Sequence, residues 1–276
     1  MKTKRVLFIT QEILPYIEEG EYKLLGRKVP QFFLERGREI RTFMPKWGTV
    51  NERRSQLHEV IRLSGMNLII DDTDHLLILK VASIPSARMQ VYFIDNDDYF
   101  MKRLEYANEK GEEYSDNGER AIFYARGVLE TIKKLRWVPD VIHCQGWIST
   151  IAPLYIKTAM REEPCFRDAR IIFTPGGNEL KRTMSPQFMA DIQFKGVTPK
   201  HLENLPEQVT VLDLYKLALQ YSDGAYFLPQ FADPELLAYA RQLKLPILQG
   251  PVEAEGAGTQ ITNFFDSVWS AGKEDI

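Results

Sequence analysis

Short, unbroken apolar runs separated by longer stretches of helical periodicity constrain this chain more than any other feature. Val6-Leu7-Phe8-Ile9-Thr10 has no polar face, which suits a parallel strand covered on both sides of a sheet. Lys23 to Arg36 then carries Leu24, Leu25, Phe32 and Phe33 at helical spacings, and Gly37 is positioned to end that helix. Glu39 to Met44 reads as the second strand, closed by Pro45. The alternation resumes after Pro139, with strands at Asp140 to His143, Arg170 to Thr174, Gly224 to Leu228 and Pro246 to Leu248. Helices fall between them at Ile148 to Ala159, Val211 to Gln220 and Pro234 to Gln242. Strands joined by crossover helices of this length predict an α/β fold, a Rossmann-like doubly wound parallel sheet.

Two segments depart from that rhythm. From Val60 to Ile94 four strand-like runs, Val60 to Leu63, Met66 to Ile70, Leu76 to Val81 and Val91 to Ile94, are separated only by turns. They predict a β insertion that returns to the main sheet. A long helix follows at Gly118 to Leu135, with Ile122, Phe123, Val128, Leu129 and Ile132 on one broad face and Asp116 or Asn117 available as its cap. Gly250 to Ile276 holds one short amphipathic stretch, Ile261 to Trp269, and is expected to be a surface appendage. The expected organisation is one domain over residues 1–276.

Charge and cysteine usage exclude several function classes. Lys and Arg number 35 against 38 Asp and Glu, for a net charge of -3, so no positive field gathers nucleic acid or anionic lipid. Neither is expected as a partner. The basic start, Met1 to Arg5, precedes an apolar run too short for a signal peptide, and no stretch approaches the roughly 20 residues of a membrane helix. A cytoplasmic location is the expectation. Cys144 and Cys165 make neither a disulfide framework nor a zinc site, and Cys144 has no neighbouring cation in sequence to activate it. The basic cluster Lys133-Lys134-Leu135-Arg136 suits a helix C-terminus, and Arg53-Arg54 is a loop pair without a motif.

In an open parallel sheet the ligand lies outside the carboxyl ends of the strands. The loops to inspect are therefore Gln11 to Tyr22, Asp95 to Phe100, Cys144 to Trp147 and Pro175 to Leu180. None is a dinucleotide fingerprint or a phosphate loop, and Gly176-Gly177 alone says little. Asp95-Asn96-Asp97 has a spacing at which carboxylates can share a divalent metal, but so short a motif carries little weight and no metal is expected. Tyr92, Phe93, Tyr99, Phe100, Tyr106 and Tyr114 gather around this loop, and flat rings with a hydroxyl tip suit sugar faces. Tyr99 and Tyr114 are the candidates for stacking on a sugar, with plain packing as the alternative.

Taken in order, five segments carry a specific similarity. They are Val91 to Phe100, Tyr114-Ser115-Asp116-Asn117 with Arg120 and Phe123, Trp137 to Cys144, Ala152-Pro153-Leu154-Tyr155, and Phe173-Thr174 with Asn178. From Val6 to about Gln230 the chain resembles the N-terminal domain of the glycogen and bacterial starch synthases, retaining glucosyltransferases of the two-domain GT-B architecture. The resemblance implies transfer of glucose from ADP-glucose or UDP-glucose to an α-1,4-glucan. It also implies substrate contacts at Gly20, Asn96, Tyr99, Tyr114, Asp116, Asn117, His143, Gln145 and Asn178; for His143 a hydrogen-bonded core position is the alternative. No residue is assigned a catalytic role and no cofactor is implied beyond the donor itself.

The chain departs from the family at the places that matter for the donor. The family's Lys-Thr-Gly-Gly-Leu loop, which faces the nucleotide phosphates, is Glu18-Glu19-Gly20-Glu21-Tyr22 here. A unit charge ~5 Å from a phosphate is worth roughly 3 kcal/mol at an effective dielectric near 20, so a lysine replaced by a glutamate turns attraction into repulsion. Acids ahead of a helix also favour its positive end, which explains the same charges without a ligand. His-Cys-His-Asp-Trp becomes His143-Cys144-Gln145-Gly146-Trp147, and Ile-His-Asn becomes Pro175-Gly176-Gly177-Asn178. The family's C-terminal domain, which holds most of the nucleotide site, is expected to be absent. These departures predict an acceptor-side half that works with a separately encoded C-terminal subunit, or a catalytically degenerate relative. The alternative is a noncatalytic module of glycogen metabolism that binds an α-glucan or maltooligosaccharide, and a third reading is a partner-binding domain.

Overall fold

The structure, a computed structural model, describes residues 2–20, 22–177 and 180–271. Its centre is β1 (Arg5–Ile9), flanked in parallel by β2 (Glu39–Pro45) and β7 (Val141–Gln145). On the β2 side the parallel run continues to β6 (Met89–Asp95). On the β7 side it continues to β8 (Arg170–Thr174), β9 (Gly224–Phe227) and β10 (Ile247–Gln249). The chain builds outward from β1 in one direction, then returns and builds in the other, so the order reverses beside β1. This is the doubly wound sheet the apolar runs predict.

Both faces of the sheet are covered, which is why β1, β7 and β8 have no polar alternation. On one face lie α1 (Lys23–Glu35) and α7 (Ala257–Ala271). Phe8 meets Phe33 edge-on with ring centroids 5.7 Å apart, and Phe33 meets Phe265 at 5.0 Å. The other face is covered by α2 (Asn117–Leu135), whose Tyr124 hydroxyl donates to the Thr10 carbonyl at 2.8 Å. Packed beside it in turn are α3 (Ile151–Lys157) and α5 (Val211–Gln220), with α6 (Pro234–Gln242) against α5. The bounds of β8, α5 and α6 coincide with the sequence expectation. Among the described residues no helix is long and apolar enough to cross a membrane.

The β insertion is present, with altered bounds. β5 (Thr73–Ile84) runs antiparallel to β6 and carries β3 (His58–Glu59) at the sheet's edge, while β4 (Met66–Ile70) forms a hairpin with it. Asp71 and Asp72, both with positive φ, make the two-residue hairpin turn, a geometry whose twist matches the strands. Val60 to Leu63 is not a strand: the Leu63 and Ser64 amides donate to the Val60 carbonyl, and Ile61 is 83% exposed. The segment lies beside β5, with the Val60 amide on the Leu79 carbonyl at 2.8 Å, but turns back on itself instead of pairing along it.

The C-terminal stretch is not an appendage. In α7 the residues Ile261, Phe265, Val268 and Trp269 are buried against α1 and β8. Asp266 ties the helix down, accepting from the Arg38 guanidinium at 2.7 and 2.8 Å and from the Thr3 amide at 2.8 Å. Those partners lie over 200 residues earlier, so no local pattern announces them. Asp116 differs too: it occupies the N-cap position of α2, but its carboxylate is taken by Arg103 rather than by the helix.

Two stability predictions follow from this packing. Phe265→Ala removes a fully buried ring between Phe33 and His143, and should lower the unfolding free energy by about 3–5 kcal/mol in urea titration. Asp191, in α4 (Phe188–Asp191), has a buried Oδ2 without a hydrogen-bond partner among the described residues. Burial first, then Asp71 and Glu119, push its carboxyl up to about 6. A raised acid contributes stability below its unfolded value and loses it as pH climbs through the folded one. Asp191→Asn should therefore melt higher than the parent above pH ~7 and lose that advantage near pH ~4; equal melting curves at both ends would refute the assignment.

Candidate functional site

The carboxyl ends of the parallel strands open into a cleft of about 870 Å³. Its walls come from the segments after β1, β2, β6, β8 and β9: Gln11 to Tyr22, Thr49 to Ser55, Glu105 and Tyr106, Gly177, and Gln230 with Phe231. The loop after β7 stands behind this surface, because Trp147 is fully buried.

Gln11 secures the point where strand order reverses. Its side-chain oxygen accepts from the Trp147 amide at 3.1 Å, and its carbonyl accepts from Trp47 Nε1 at 2.8 Å. Gly146 takes a φ of +74°, and a Cβ there would overlap the Gln11 side chain, so only glycine fits. Next to Gln11, the Glu12 carboxylate is 5% exposed and accepts from the Tyr22 amide at 3.0 Å and from Gln11 Nε2 at 3.2 Å. It stands at the start of α1, where the helix dipole favours an anion. Gly20 packs flush against it, leaving no room for a side chain.

Tyr22 closes the far end of the cleft. Its ring stacks on Phe231 at 4.9 Å and 21°, and its hydroxyl accepts from the Gly177 amide at 2.9 Å. Tyr215 donates to the Gly177 carbonyl at 3.1 Å, so two tyrosine hydroxyls converge on the loop after β8.

The loop after β6 is shaped from behind by Arg120 of α2. Fully buried, its guanidinium donates to the carbonyls of Tyr99 (2.9 Å), Leu104 (2.8 Å) and Glu105 (2.8 Å) and to Asn117 Oδ1 (2.8 Å). Burial and then the neighbouring Arg103 lower its pKa to about 9, which leaves it protonated at neutral pH. These bonds turn the chain so that Glu105 and Tyr106 reach the cleft.

The residues implied by the resemblance divide between the cleft and this supporting network. Gly20 lines the cleft. Asn96 is buried, its side chain donating to the Leu76 carbonyl and accepting from the Asp98 and Tyr99 amides. Tyr99 is 2% exposed, with its hydroxyl on His75 at 3.0 Å and Glu119 at 2.9 Å. Tyr114 offers its ring to Arg103 and Arg120, whose guanidinium carbons lie 4.2 and 4.9 Å from the centroid. Asp116 pairs with Arg103 at 2.7 and 2.5 Å, and Asn117 donates to the Tyr106 carbonyl at 2.9 Å. Asn178, like Glu21 of the acidic loop, lies outside the described residues.

His143 and Gln145 are enclosed on the α7 side of β7. Gln145 Nε2 donates to His143 Nδ1 at 3.2 Å, which leaves the ring proton on Nε2 facing Thr174 Oγ1 at 2.8 Å. Burial lowers the imidazole to about 3, so the ring is neutral. Asp95 of the Asp-Asn-Asp run is buried and paired with Lys80 at 2.8 Å. Cys144 is buried, and burial pushes its thiol up, away from thiolate chemistry.

Sequence reading missed the walls after β2 and β9. Gln230 and Phe231 directly follow a strand end, so the strand-end rule applied to Leu228 would have found them. Thr49, Asn51 and Arg54 carry no motif and sit in a loop of irregular conformation.

An order-reversed parallel sheet with a loop-walled cleft at its carboxyl ends defines a Rossmann-like ligand-binding domain. Residues 5–226 match the family described as the starch synthase catalytic domain, and the chain belongs to that family. The glycogen synthase of Chlorobium limicola is 36% identical over 171 residues, which are 62% of this chain and 35% of that protein. The glycogen synthase of Chlorobaculum tepidum is 31% identical over 216 residues, 76% of this chain and 41% of that one. The chain thus spans well under half the length of these relatives. Among solved structures, the catalytic domain of starch synthase IV from Arabidopsis thaliana, bound to ADP and acarbose, shares the fold. The TM-score is 0.72 at 16% identity, over 89% of this chain and 51% of the other.

Arg120→Met strips three backbone carbonyls and Asn117 of their donor in a buried setting. It should cost about 3 kcal/mol or more in chemical denaturation, and a loss under about 1 kcal/mol would show that the loop after β6 is held by other means.

Proposed function

We propose that this domain holds an α-1,4-glucan in the cleft, as the acceptor-side half of a glucosyl-transfer site. The cleft chemistry carries the reading. Thr49, Asn51, Ser55 and Gln230 offer uncharged donors and acceptors along its walls, and Tyr106 supplies a ring with a hydroxyl tip. Such a mixture suits a neutral, polyhydroxylated chain with apolar sugar faces. Membership of the starch synthase family and the glycogen synthase relatives support the substrate class. The nucleotide sugar, ADP-glucose or UDP-glucose, then belongs to a second GT-B-type domain. Within this chain the contribution is orientation: Arg120, Asn117 and Asp116 set the loop that carries Tyr106, and no described residue of the cleft is assigned to proton transfer.

A second reading, a noncatalytic glucan-binding or regulatory module, is favoured by one observation. The buried, neutral His143 has no route for a proton to the cleft, since its partners are Thr174 and Gln145.

Calorimetric titration of the purified chain separates these readings from failure of both. A soluble maltooligosaccharide should bind saturably, and Tyr106→Ala should weaken it roughly tenfold, the loss of about 1.4 kcal/mol of ring contact. ADP-glucose alone should give no heat. Labelled transfer to glycogen on adding a cognate C-terminal subunit would select the transferase half, and its absence the module. No glucan binding by the parent chain sinks both.

A further inference from the structure

The charged side chains that line the cleft, among the described residues, are four carboxylates and one guanidinium: Glu12, Glu18, Glu19, Glu105 and Arg54. The single cation is not available to a ligand as the chain stands. Arg54 Nη2 lies 3.0 Å from Glu18 Oε1, an ion pair that joins the loop after β1 to the loop after β2 across the cleft. Both partners are well exposed, at 75% and 58%, so the pair sits at the mouth rather than in the core.

Glu18 also holds a second cation through its backbone. The Lys23 ammonium, in the first turn of α1, donates to the Glu18 carbonyl. One residue therefore engages two positive charges, the guanidinium through its carboxylate and the ammonium through its backbone. Glu12 stands deeper, accepting from the Tyr22 amide and from Gln11 Nε2.

We infer that Glu18 sets the charge specificity of the cleft, holding Arg54 so that uncharged glycans enter and phosphate-bearing ligands are rejected. This deepens the glucan-binding reading and rests on it for the ligand that is accepted, but the rejected class follows from charge alone. A phosphate or diphosphate approaching the mouth meets carboxylates on several sides and a guanidinium whose charge is already met. A neutral sugar chain meets no such penalty. Because the Glu18–Arg54 pair is exposed, replacing Glu18 disturbs no buried group and leaves the fold intact.

The test reads binding of inorganic pyrophosphate and, separately, a maltooligosaccharide to the full chain at low salt. Relative to the parent, Glu18→Gln should gain pyrophosphate affinity, and Glu18→Lys should gain at least tenfold, with Glu18→Gln in between. The gain should vanish when Arg54→Gln is added to Glu18→Gln and shrink at high salt. Glucan affinity should stay within about threefold in every variant. Pyrophosphate binding by the parent as tight as by Glu18→Lys overturns the inference. So does a gain that survives removal of Arg54. If the parent and variants all fail to bind glucan, the glucan reading falls, while the pyrophosphate series still decides whether Glu18 excludes anions.

Discussion

Strand order reverses beside β1, and the rest of the molecule follows from that constraint. A parallel strand cannot be joined to its neighbour by a tight turn, so each pairing requires a crossover that covers one face. Building first toward β6 and then back toward β10 puts crossovers on both faces. That is why Val6 to Ile9 and Val141 to Gln145 are buried without alternation. It also leaves the loops after β1 and β7 diverging, with a gap that no backbone fills. Gln11 spans the base of that gap to Trp147, and the walls of the cleft are whatever the neighbouring loops bring to its edge.

Crossover length and apolar periodicity are local properties, so the sheet and most helices were legible. β8, α5 and α6 begin and end where the sequence places them. Elements whose fate depends on distant partners were not. Ile261 to Trp269 has an amphipathic pattern that fits a surface helix equally well, and only the pairing of Asp266 with Arg38 and Thr3 makes it a lid over His143. Val60 to Leu63 shows the converse: apolar letters with strand propensity fold as a turn, closed by the Leu63 and Ser64 amides on the Val60 carbonyl.

The site was legible in part, for a related reason. The segments that carry the resemblance contain Tyr99, Tyr114, Asp116 and Asn117, and these residues share one physical task around Arg120 and Arg103. Asn117 and the carbonyls of Tyr99, Leu104 and Glu105 satisfy a buried guanidinium; Asp116 satisfies Arg103; Tyr114 lays its ring against both. A buried cation surrounded by acceptors is intolerant of change at every position that touches it, since each lost acceptor leaves an unmet charge in a dry environment. Such a network lies behind the cleft wall rather than on it. Glu105 and Tyr106, which it delivers to the cleft, lie outside the segments that carry the resemblance.

The same division explains how carboxylates can crowd the cleft without unravelling it. Glu12 is buried, yet its charge meets the amide of Tyr22 and the positive end of α1, so folding supplies the compensation that water would otherwise give. Glu18 lies at the mouth, where solvent and Arg54 share its charge at little cost. One carboxylate is thus part of the scaffold and the other is free to act on what approaches. Changing the first would disturb Gly20 and the start of α1; changing the second would alter only the field at the entrance. Ligand charge can be reset at this cleft by a single exposed side chain, with the machinery that holds the loops left in place.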